Sequence, residues 1–248
     1  MDLTVALTGA IIGVVVGMTS TGGGALLTPA LVLVLGVPVR LAIGSDVLIA
    51  AIMKLFGSGF YVARGAVHWG TVRRLAYGSI PGALLGLLLL ELIPVDRIDH
   101  LLQQAVGATL VLVGLVSVFH LTRPARAAGS MPSPARTTVV GFVIGLLVAT
   151  TSIGSGSLLL AAFVLWFPFA PATMVGTDLV HALILSSVAA SGHFFAGRVD
   201  LALSVNVLAG AIPGVIMGAN LAVFMPQRAL RGCLAAILTA IGLRLAGG

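Results

Sequence analysis

Charged residues are scarce in this chain. Only 8% of its 248 residues are Asp, Glu, Lys or Arg, whereas 59% are hydrophobic, and a soluble domain carries about 25% charged residues. No long polar stretch is present that would form a large soluble domain. The composition therefore argues against a soluble protein and predicts an all-α polytopic membrane protein, because helices satisfy their own backbone polar groups inside a bilayer.

Cysteine and cofactor motifs are also lacking. Cys233 is the only cysteine, so the sequence offers neither a disulfide framework nor a cysteine metal cluster. No ATP-binding loop, nucleophile or cofactor motif is recognisable, and we therefore expect no cofactor and no metal ion. The N-terminus has no basic region typical of a cleaved signal peptide. The net charge of +6 does not indicate a nucleic-acid partner, because the basic residues lie at the ends of apolar segments.

The chain contains an internal repeat. A shift of 132 residues aligns it with itself without gaps from Gly9 to Leu102, and nine glycines then fall on glycines. Chance predicts about 1.6 such matches over this length, so the repeat is a strong signal. We predict a first transmembrane repeat at 1–121, a linker at 122–136 and a second transmembrane repeat at 137–248.

Each repeat shows two short apolar segments followed by three longer ones. At 1.5 Å per residue, the short segments of about 12–17 residues cover only about 18–25 Å of a hydrocarbon core of roughly 30 Å. They predict a broken short-helix hairpin that opens each repeat, and a hairpin plus three spans makes the two repeats inverted in topology. The expected segments are 3–19, 25–36, 41–62, 75–92 and 98–120, then 137–151, 157–167, 173–195, 202–224 and 230–246.

The charges predict an orientation. Eight arginines and no acidic residue fall at the segment ends on the side of the linker. Four arginines and five acidic residues fall at the segment ends on the other side. The positive-inside rule then places the linker in the cytoplasm and both termini outside.

A polar, glycine-rich break interrupts each hairpin. Glycine and hydroxyl residues leave backbone groups that hydrocarbon cannot satisfy, so a break of this kind is expected to line a protein-walled cavity. The helix after it begins with free N–H groups and the positive end of its dipole, which attract an anion. The expected anion-binding residues are Ser20, Thr21, Gly22, Gly23, Gly24, Ser152, Gly154, Ser155, Gly156 and Ser157, with Lys54 as the countercharge.

Five ionisable residues remain inside the spans, where charge is costly and usually faces a cavity or a partner: Asp46, Lys54, Asp178, His181 and His193. Asp46 and Asp178 are equivalent in the two repeats, whereas Lys54 and His181 have no ionisable equivalent. This asymmetry favours a single off-axis substrate or a proton-handling role. We expect Asp46, Asp178 and His181 to handle protons or to shape the site.

Structural roles remain open for the same residues. Asp46 and Asp178 follow Gly-Ser and Gly-Thr, which resemble helix starts, so capping is an equal alternative. His181 lies three residues after Asp178 on one helix face and would pair with it. Lys54 would alternatively reach to an interface, and His193, near a span end, is expected to be structural.

Four sequence motifs stand out along the chain: Ser20-Thr21-Gly22-Gly23-Gly24-Ala25-Leu26-Leu27-Thr28-Pro29, Ala42-Ile43-Gly44-Ser45-Asp46, Gly78-Ser79-Ile80-Pro81-Gly82 and Gly176-Thr177-Asp178-Leu179-Val180-His181-Ala182. The first three resemble the TauE/SafE family of sulfite exporters and organosulfur permeases, and the fourth is similar to the subset of that family with an acid and a histidine there. The resemblance covers nearly the whole chain and implies an inner-membrane permease for small sulfur-containing or carboxylate anions. The glycine run departs at Thr21, where the family commonly has one more glycine.

Together these features predict a multi-pass secondary transporter of a prokaryotic-type plasma membrane. Its substrate is expected to be a small anion such as sulfite, thiosulfate or a sulfonate, bound at the repeat interface and moved by alternating access. A passive anion channel with the same pore is an alternative. An intramembrane enzyme is a less favoured one, with Asp178 and His181 as its only plausible dyad. Proton coupling and homo-oligomerisation are left open.

Overall fold

The computed structural model describes residues 3–19, 24–122, 131–222 and 227–247. Within these ranges the chain is all-helical, and each of the ten predicted segments is a helix. Most of the expected linker, at residues 123–130, lies outside the described part. The helices are α1 (Leu3–Thr19), α2 (Gly24–Leu33), α3 (Val39–Ala63), α4 (Trp69–Leu92), α5 (Val95–Thr122), α6 (Pro134–Thr151), α7 (Ser157–Trp166), α8 (Pro171–Phe195), α9 (Leu201–Ala222) and α10 (Gln227–Ala246).

Most of the helices begin earlier than expected, and for α4 and α6 the caps explain why. The His68 ring accepts a hydrogen bond from the Thr71 N–H at 3.1 Å, so α4 begins at Trp69 rather than near residue 75. Ser133 caps α6 with Pro134 in its first turn, which extends this helix to 18 residues. Such a helix is about 27 Å long and nearly crosses the hydrocarbon core. The prediction that this segment covers only about 18–25 Å is therefore wrong for α6.

Five of the described helical stretches are long and apolar enough to span a membrane. α3 is not among them although it has 25 residues, and it carries the buried Asp46 and Lys54. Large apolar side chains are exposed around the molecule, including Phe56, Leu92 and Phe195. An apolar surface of this extent indicates contact with lipid. The five stretches are Trp69–Leu92, Arg97–Val118, Pro134–Thr151, Pro171–Phe195 and Leu201–Gly218.

α6 and α7 form a hairpin whose tip lies inside the molecule. A cavity of about 930 Å³ is lined both by 131–140, at the start of α6, and by 165–167, at the end of α7. α7 therefore returns to the side from which α6 started. With only 10 residues, α7 rises about 15 Å, so it covers about half of the bilayer core.

The helices of one repeat pack mainly against helices of the other. α1 packs on α9, and the equivalent helices α6 and α4 pack on each other in the same way. Hydrogen bonds recur in the same fashion: the Asp200 N–H donates to Ser45 Oγ at 3.0 Å, and the His68 N–H donates to Thr177 Oγ1 at 2.9 Å. Asp200 lies 132 residues after His68, and Thr177 lies 132 residues after Ser45. The two hydrogen bonds are therefore equivalent, with the repeats exchanged.

The equivalent helices α3 and α8 also pack on each other, and they run antiparallel. A Cβ added at Gly44, near the start of α3, would lie 3.2 Å from Cβ of His193, near the end of α8. Further along α3, Lys54 contacts Ser186 and Gly57 lies beside Leu179. Opposite directions of equivalent helices support the prediction of two repeats that are inverted relative to each other.

The ends of the bundle differ in charge. At one end Arg40 lies 3.9 Å from Asp99 and Arg198 lies 2.8 Å from Glu91, so acidic and basic residues mix there. At the other end Thr138, near the start of α6, donates a hydrogen bond to the backbone carbonyl of Arg74, so Arg74 on α4 lies close to the start of α6. The ion pairs and the arginines of 73–74 therefore lie at opposite ends, as the predicted orientation assumes.

Candidate functional site

The break between α6 and α7 packs against the middle of α3 and α8. Ser152 ends α6 in the left-handed region with φ 61°, and Gly154 and Gly156 have φ of 129° and 96°. A side chain is strained at such values, so the two glycines let the chain turn sharply. Ser152 and Ser155 are buried, and the turn therefore places hydroxyl groups inside the protein.

Both intramembrane carboxylates bond to the short helix of their own repeat. Asp46 Oδ2 accepts hydrogen bonds from the backbone N–H of Thr28, at 3.1 Å, and from its hydroxyl, in the second turn of α2. Asp178 Oδ1 accepts from the N–H of Gly156, the residue that caps α7, at 3.2 Å. Asp46 and Asp178 lie inside α3 and α8, which begin at Val39 and Pro171, so the alternative in which they cap a helix that starts at Gly-Ser-Asp or Gly-Thr-Asp is wrong. The two carboxylates bond instead to neighbouring short helices, close to the ends that the sequence suggested for an anion.

Lys54 lies at the centre of the molecule, with 6% of its surface exposed. Its ammonium donates to Ser155 Oγ in the break at 2.8 Å and to Ser186 Oγ on α8 at 3.2 Å. Asp46 and Asp178 are its electrostatic neighbours, yet no ion pair within 4.0 Å joins it to an acidic residue of the described chain. The alternative in which Lys54 reaches to an interface is therefore wrong.

Lys54 and Ser186, which contact each other, are equivalent positions of the two repeats. The predicted inversion of the repeats would place the axis that exchanges them at such a contact, and so close to the Lys54 ammonium. A sequence signal for its importance was missed: Lys54 is the only lysine of the chain, and the other twelve cationic residues are arginines.

His181 bonds to a residue that sequence reasoning did not single out as part of the site. Its Nε2 lies 2.9 Å from Ser79 Oγ on α4, two residues before Pro81, and its Nδ1 is buried without a partner. No hydrogen bond joins His181 to Asp178, so the structural pair suggested by their spacing is not formed. The sequence motif around Ser79 resembles the family pattern. Residue spacing within one helix does not show which helix lies opposite, so the contact between α4 and α8 was not predicted.

His193 has a structural role at the end of α6. Its Nε2 donates to the carbonyl of Ala149 at 2.8 Å, and the side chain is buried. The last carbonyls of a helix have no partner within it. His193 therefore supplies a partner to a buried group close to the break.

The structure brings together several of the predicted site residues. Lys54, Ser155, Gly156 and Asp178 meet around the second break, and Asp46 lies beside Ser152. In the described ranges, no group of three or more His, Cys, Asp or Glu side chains is placed to hold a metal ion. Gly24 begins α2. The predicted residues Ser20, Thr21, Gly22 and Gly23 lie outside the described residues.

Two polar atoms near this site, Ser157 Oγ and His181 Nδ1, are buried and have no hydrogen-bond partner. Asp46 and Ser152 are neighbours, and the Ser152 hydroxyl is the donor available to this carboxylate. Buried polar groups are normally paired, and an unpaired one costs about 1–3 kcal/mol. The two unpaired atoms therefore favour a polar ligand that would satisfy them.

Comparison with known proteins shows similarity along the whole chain. A family model described as "Sulfite exporter TauE/SafE" matches residues 5–245. The "Probable membrane transporter protein YjnA" of Bacillus subtilis (strain 168) is 36% identical over 254 residues, which cover 99% of this chain and 100% of the relative. "Probable membrane transporter protein YdhB" of the same organism is 24% identical, with 90% of this chain and 91% of the relative covered. No solved structure matches the chain significantly.

Proposed function

The chain belongs to the sulfite exporter TauE/SafE family, and we propose that this membrane transporter is a secondary transporter of a small anion such as sulfite, thiosulfate or a sulfonate. The anion binds at the interface of the two repeats, beside the break at 152–156. A transmembrane gradient or a partner supplies the energy. Transport occurs across a prokaryotic-type plasma membrane, with the linker in the cytoplasm and both termini outside.

The observation that carries this proposal is the environment of Lys54. A buried ammonium that is hydrogen-bonded to two neutral hydroxyls, Ser155 and Ser186, keeps much of its capacity to attract a negative charge. An oxyanion that replaces one hydroxyl gains a charge-assisted hydrogen bond, which is stronger than a neutral one. The displaced hydroxyl of Ser155 then donates to the anion.

The remaining donors come from the breaks. Ser157 has a buried hydroxyl without a partner, the Ser152 hydroxyl lies beside Asp46, and both serines lie within a few residues of Ser155. By repeat equivalence, Ser20 to Gly24 would supply the matching donors from the first hairpin. Asp46 and Asp178 hold the short helices in place, and with His181 they are the groups available for proton coupling.

The arrangement of the repeats supports the proposal of alternating access. Each repeat packs on the other through the same contacts, and equivalent helices α3 and α8 cross in opposite directions beside Lys54. Inverted repeats of this kind move as two bodies that rock around a central site, which opens first to one side and then to the other.

Transport of labelled sulfite by the purified protein in liposomes tests the proposal. Replacing Lys54 with Ala should lower uptake at least about tenfold, because a hydrogen bond to a charged group contributes about 1.5–3 kcal/mol. Lys54→Arg keeps the charge and should retain part of the uptake. Arg64→Ala removes an exposed cation at the end of α3 and should leave uptake unchanged.

Two results would contradict this function. Full uptake by a folded Lys54→Ala protein would show that the anion does not bind there. Uptake that neither saturates nor shows counterflow would indicate a passive channel instead of a transporter. Conversion of sulfite to a product in detergent, without any vesicle, would indicate an enzyme.

A further inference from the structure

We propose that the cavity between the start of α6 and the end of α7 binds one anionic phospholipid of the surrounding membrane. The phosphate group of the lipid lies at Arg136, and an acyl chain covers Val139 and Leu165. Neither Lys54 nor the serines that contact it line this cavity, so the lipid site is separate from the proposed anion site.

The cavity exists because the two arms of the hairpin differ in length. Both arms start at the break, where α6 ends and α7 begins. α6 has 18 residues and rises about 27 Å, whereas α7 has 10 residues and rises about 15 Å. The first two turns of α6, about 12 Å, therefore extend beyond the end of α7. The described lining residues fall within 131–140 and 165–167, at this step between the arms.

The size of the cavity favours a large ligand. Its volume of about 930 Å³ lies near the upper end of the range of about 300–1,000 Å³ that is typical of pockets for organic ligands. A small inorganic anion would fill only a small part of this space. The occupant is therefore larger than the proposed transport substrate.

One part of the cavity wall is apolar and faces outwards. Val139, Leu165 and Trp166 line the cavity and are exposed on the surface. Exposed apolar side chains that form one patch mark a site of contact with lipid or a partner. Tryptophan is enriched where the hydrocarbon core meets the head groups, and Trp166 ends the short arm of the hairpin. A lipid chain is thus the ligand that covers this wall.

The other part of the wall carries a single charge. Arg136 is the only charged residue among the described ones that line the cavity, and no acidic side chain of the described chain forms an ion pair with it. A guanidinium group binds phosphate through two parallel hydrogen bonds. A soluble anion would pair with Arg136 but leave the apolar wall uncovered, and a neutral lipid would do the reverse. An anionic phospholipid satisfies both parts.

The first repeat keeps the apolar wall but lacks the cation and the indole. Arg136 and Trp166 align with Thr4 and Val34, whereas the apolar residues at 139 and 165 align with leucines. In inverted repeats the two equivalent positions face opposite leaflets. The orientation proposed above places Arg136 at the cytoplasmic leaflet, whose anionic lipids attract basic residues. The cation is therefore present in the copy that meets anionic lipid and missing from the other copy.

The test uses Trp166 as a reporter. Trp69→Phe leaves it as the single tryptophan of the chain, and a lipid with brominated acyl chains quenches the fluorescence of a tryptophan that it touches. The protein in detergent micelles is titrated with brominated phosphatidylglycerol, which is anionic, and with brominated phosphatidylcholine, which has no net charge. Half-maximal quenching should need at least about fivefold less of the anionic lipid, the gain expected from one basic residue near an anionic head group.

Two changes at Arg136 test the role of its charge. Arg136→Gln removes the charge from an exposed position and should bring the ratio of the two half-maximal concentrations to about one. Arg136→Lys keeps the charge and should keep a preference for the anionic lipid. Arg73→Gln is the matched control, because it removes an exposed arginine from the same end of the bundle, outside the cavity. Its ratio should equal that of the parent protein.

Three results would overturn the lipid site. The first is equal quenching by the two lipids, or a preference that survives in Arg136→Gln. The second is quenching by neither lipid, which would show that another part of the chain, such as 123–130, fills the cavity. The third is relief of the quenching by glycerol phosphate at the concentration of the lipid, which would show that Arg136 binds soluble anions. None of these measurements depends on transport, so the proposed function stands or falls separately.

Discussion

Asp46 and Asp178 occupy the same place in the two repeats but bond differently. Asp46 binds the second turn of α2 through Thr28, and Asp178 binds the residue that caps α7. Thr28 aligns with Leu160, so the second repeat has no hydroxyl at that position. One substitution between the copies therefore makes the surroundings of the two carboxylates different.

Lys54 shows why the type of cation matters. The arginines of the chain lie outside the middle of the spans, whereas the single lysine lies within α3. Lysine presents a compact point charge with three donors, and it releases a ligand without breaking a planar, two-pronged contact of the kind that arginine makes. A transporter must bind its substrate and also release it, and a lysine at the repeat interface suits both steps.

α3 depends on a close contact near its first turns. A Cβ at Gly44 would lie inside contact distance of the Arg198 carbonyl and 3.2 Å from Cβ of His193. Gly176, the equivalent residue of α8, meets the carbonyl of Ala66 in the same way. These glycines let α3 and α8 approach the neighbouring turns closely enough to hold Lys54 and Ser186 in contact.

Adding a methyl group at Gly44 should therefore destabilise the protein. We expect Gly44→Ala to lower the free energy of unfolding by about 1–3 kcal/mol, because the backbone of Arg198 must move. Gly59→Ala, on the same helix, is the matched control: no atom lies within 4 Å of its added Cβ, and an alanine within a helix stabilises by about 0.5–1 kcal/mol. Thermal unfolding in detergent compares the two variants, and equal or higher stability of Gly44→Ala would contradict the packing.

The two ends of the whole molecule carry different charged residues. In the described part of the chain, the end from which α6 starts carries Arg73, Arg74 and Arg136, whereas the ion pairs of Arg40 with Asp99 and of Arg198 with Glu91 lie at the other end. The positive-inside rule assigns the first end to the cytoplasm.

Labelling of single cysteines tests this orientation. In a Cys233→Ser background, an impermeant maleimide should label His100→Cys in intact cells, because this exposed residue lies at the outer end. Ala135→Cys, exposed at the start of α6, should be labelled only after the membrane is permeabilised. The reverse pattern would place the linker outside the cell.

The sequence predicted the helices because each is a long apolar run between charged or glycine-rich breaks. The predicted repeat agrees with the close contacts of the equivalent glycines Gly44 and Gly176, each of which meets a backbone carbonyl of the other half. It placed the start of α4 six residues too late, because the cap by His68 is a ring nitrogen and not one of the usual capping groups. Helix ends depend on such single contacts, whereas helix cores depend on many apolar residues.

The bonds of the site were harder to predict. Spacing along α8 places Asp178 and His181 on one face but does not show which helices lie opposite, so the bond of His181 to Ser79 was not foreseen. The partner of Asp46 could not be predicted from α3 alone either, because Thr28 lies on α2, a separate helix of the fold. Lys54 could be predicted because a charge in the middle of a span has few tolerable environments.

The binding of an anion to Lys54 can be measured directly because the chain has one lysine. Protein made with ¹⁵N in the lysine side chain should give a single ammonium resonance, which needs no assignment. The account predicts that sulfite shifts this resonance in a saturable manner, at concentrations that match its transport. An unshifted resonance in the presence of an anion that the same preparation transports would contradict the central role of Lys54.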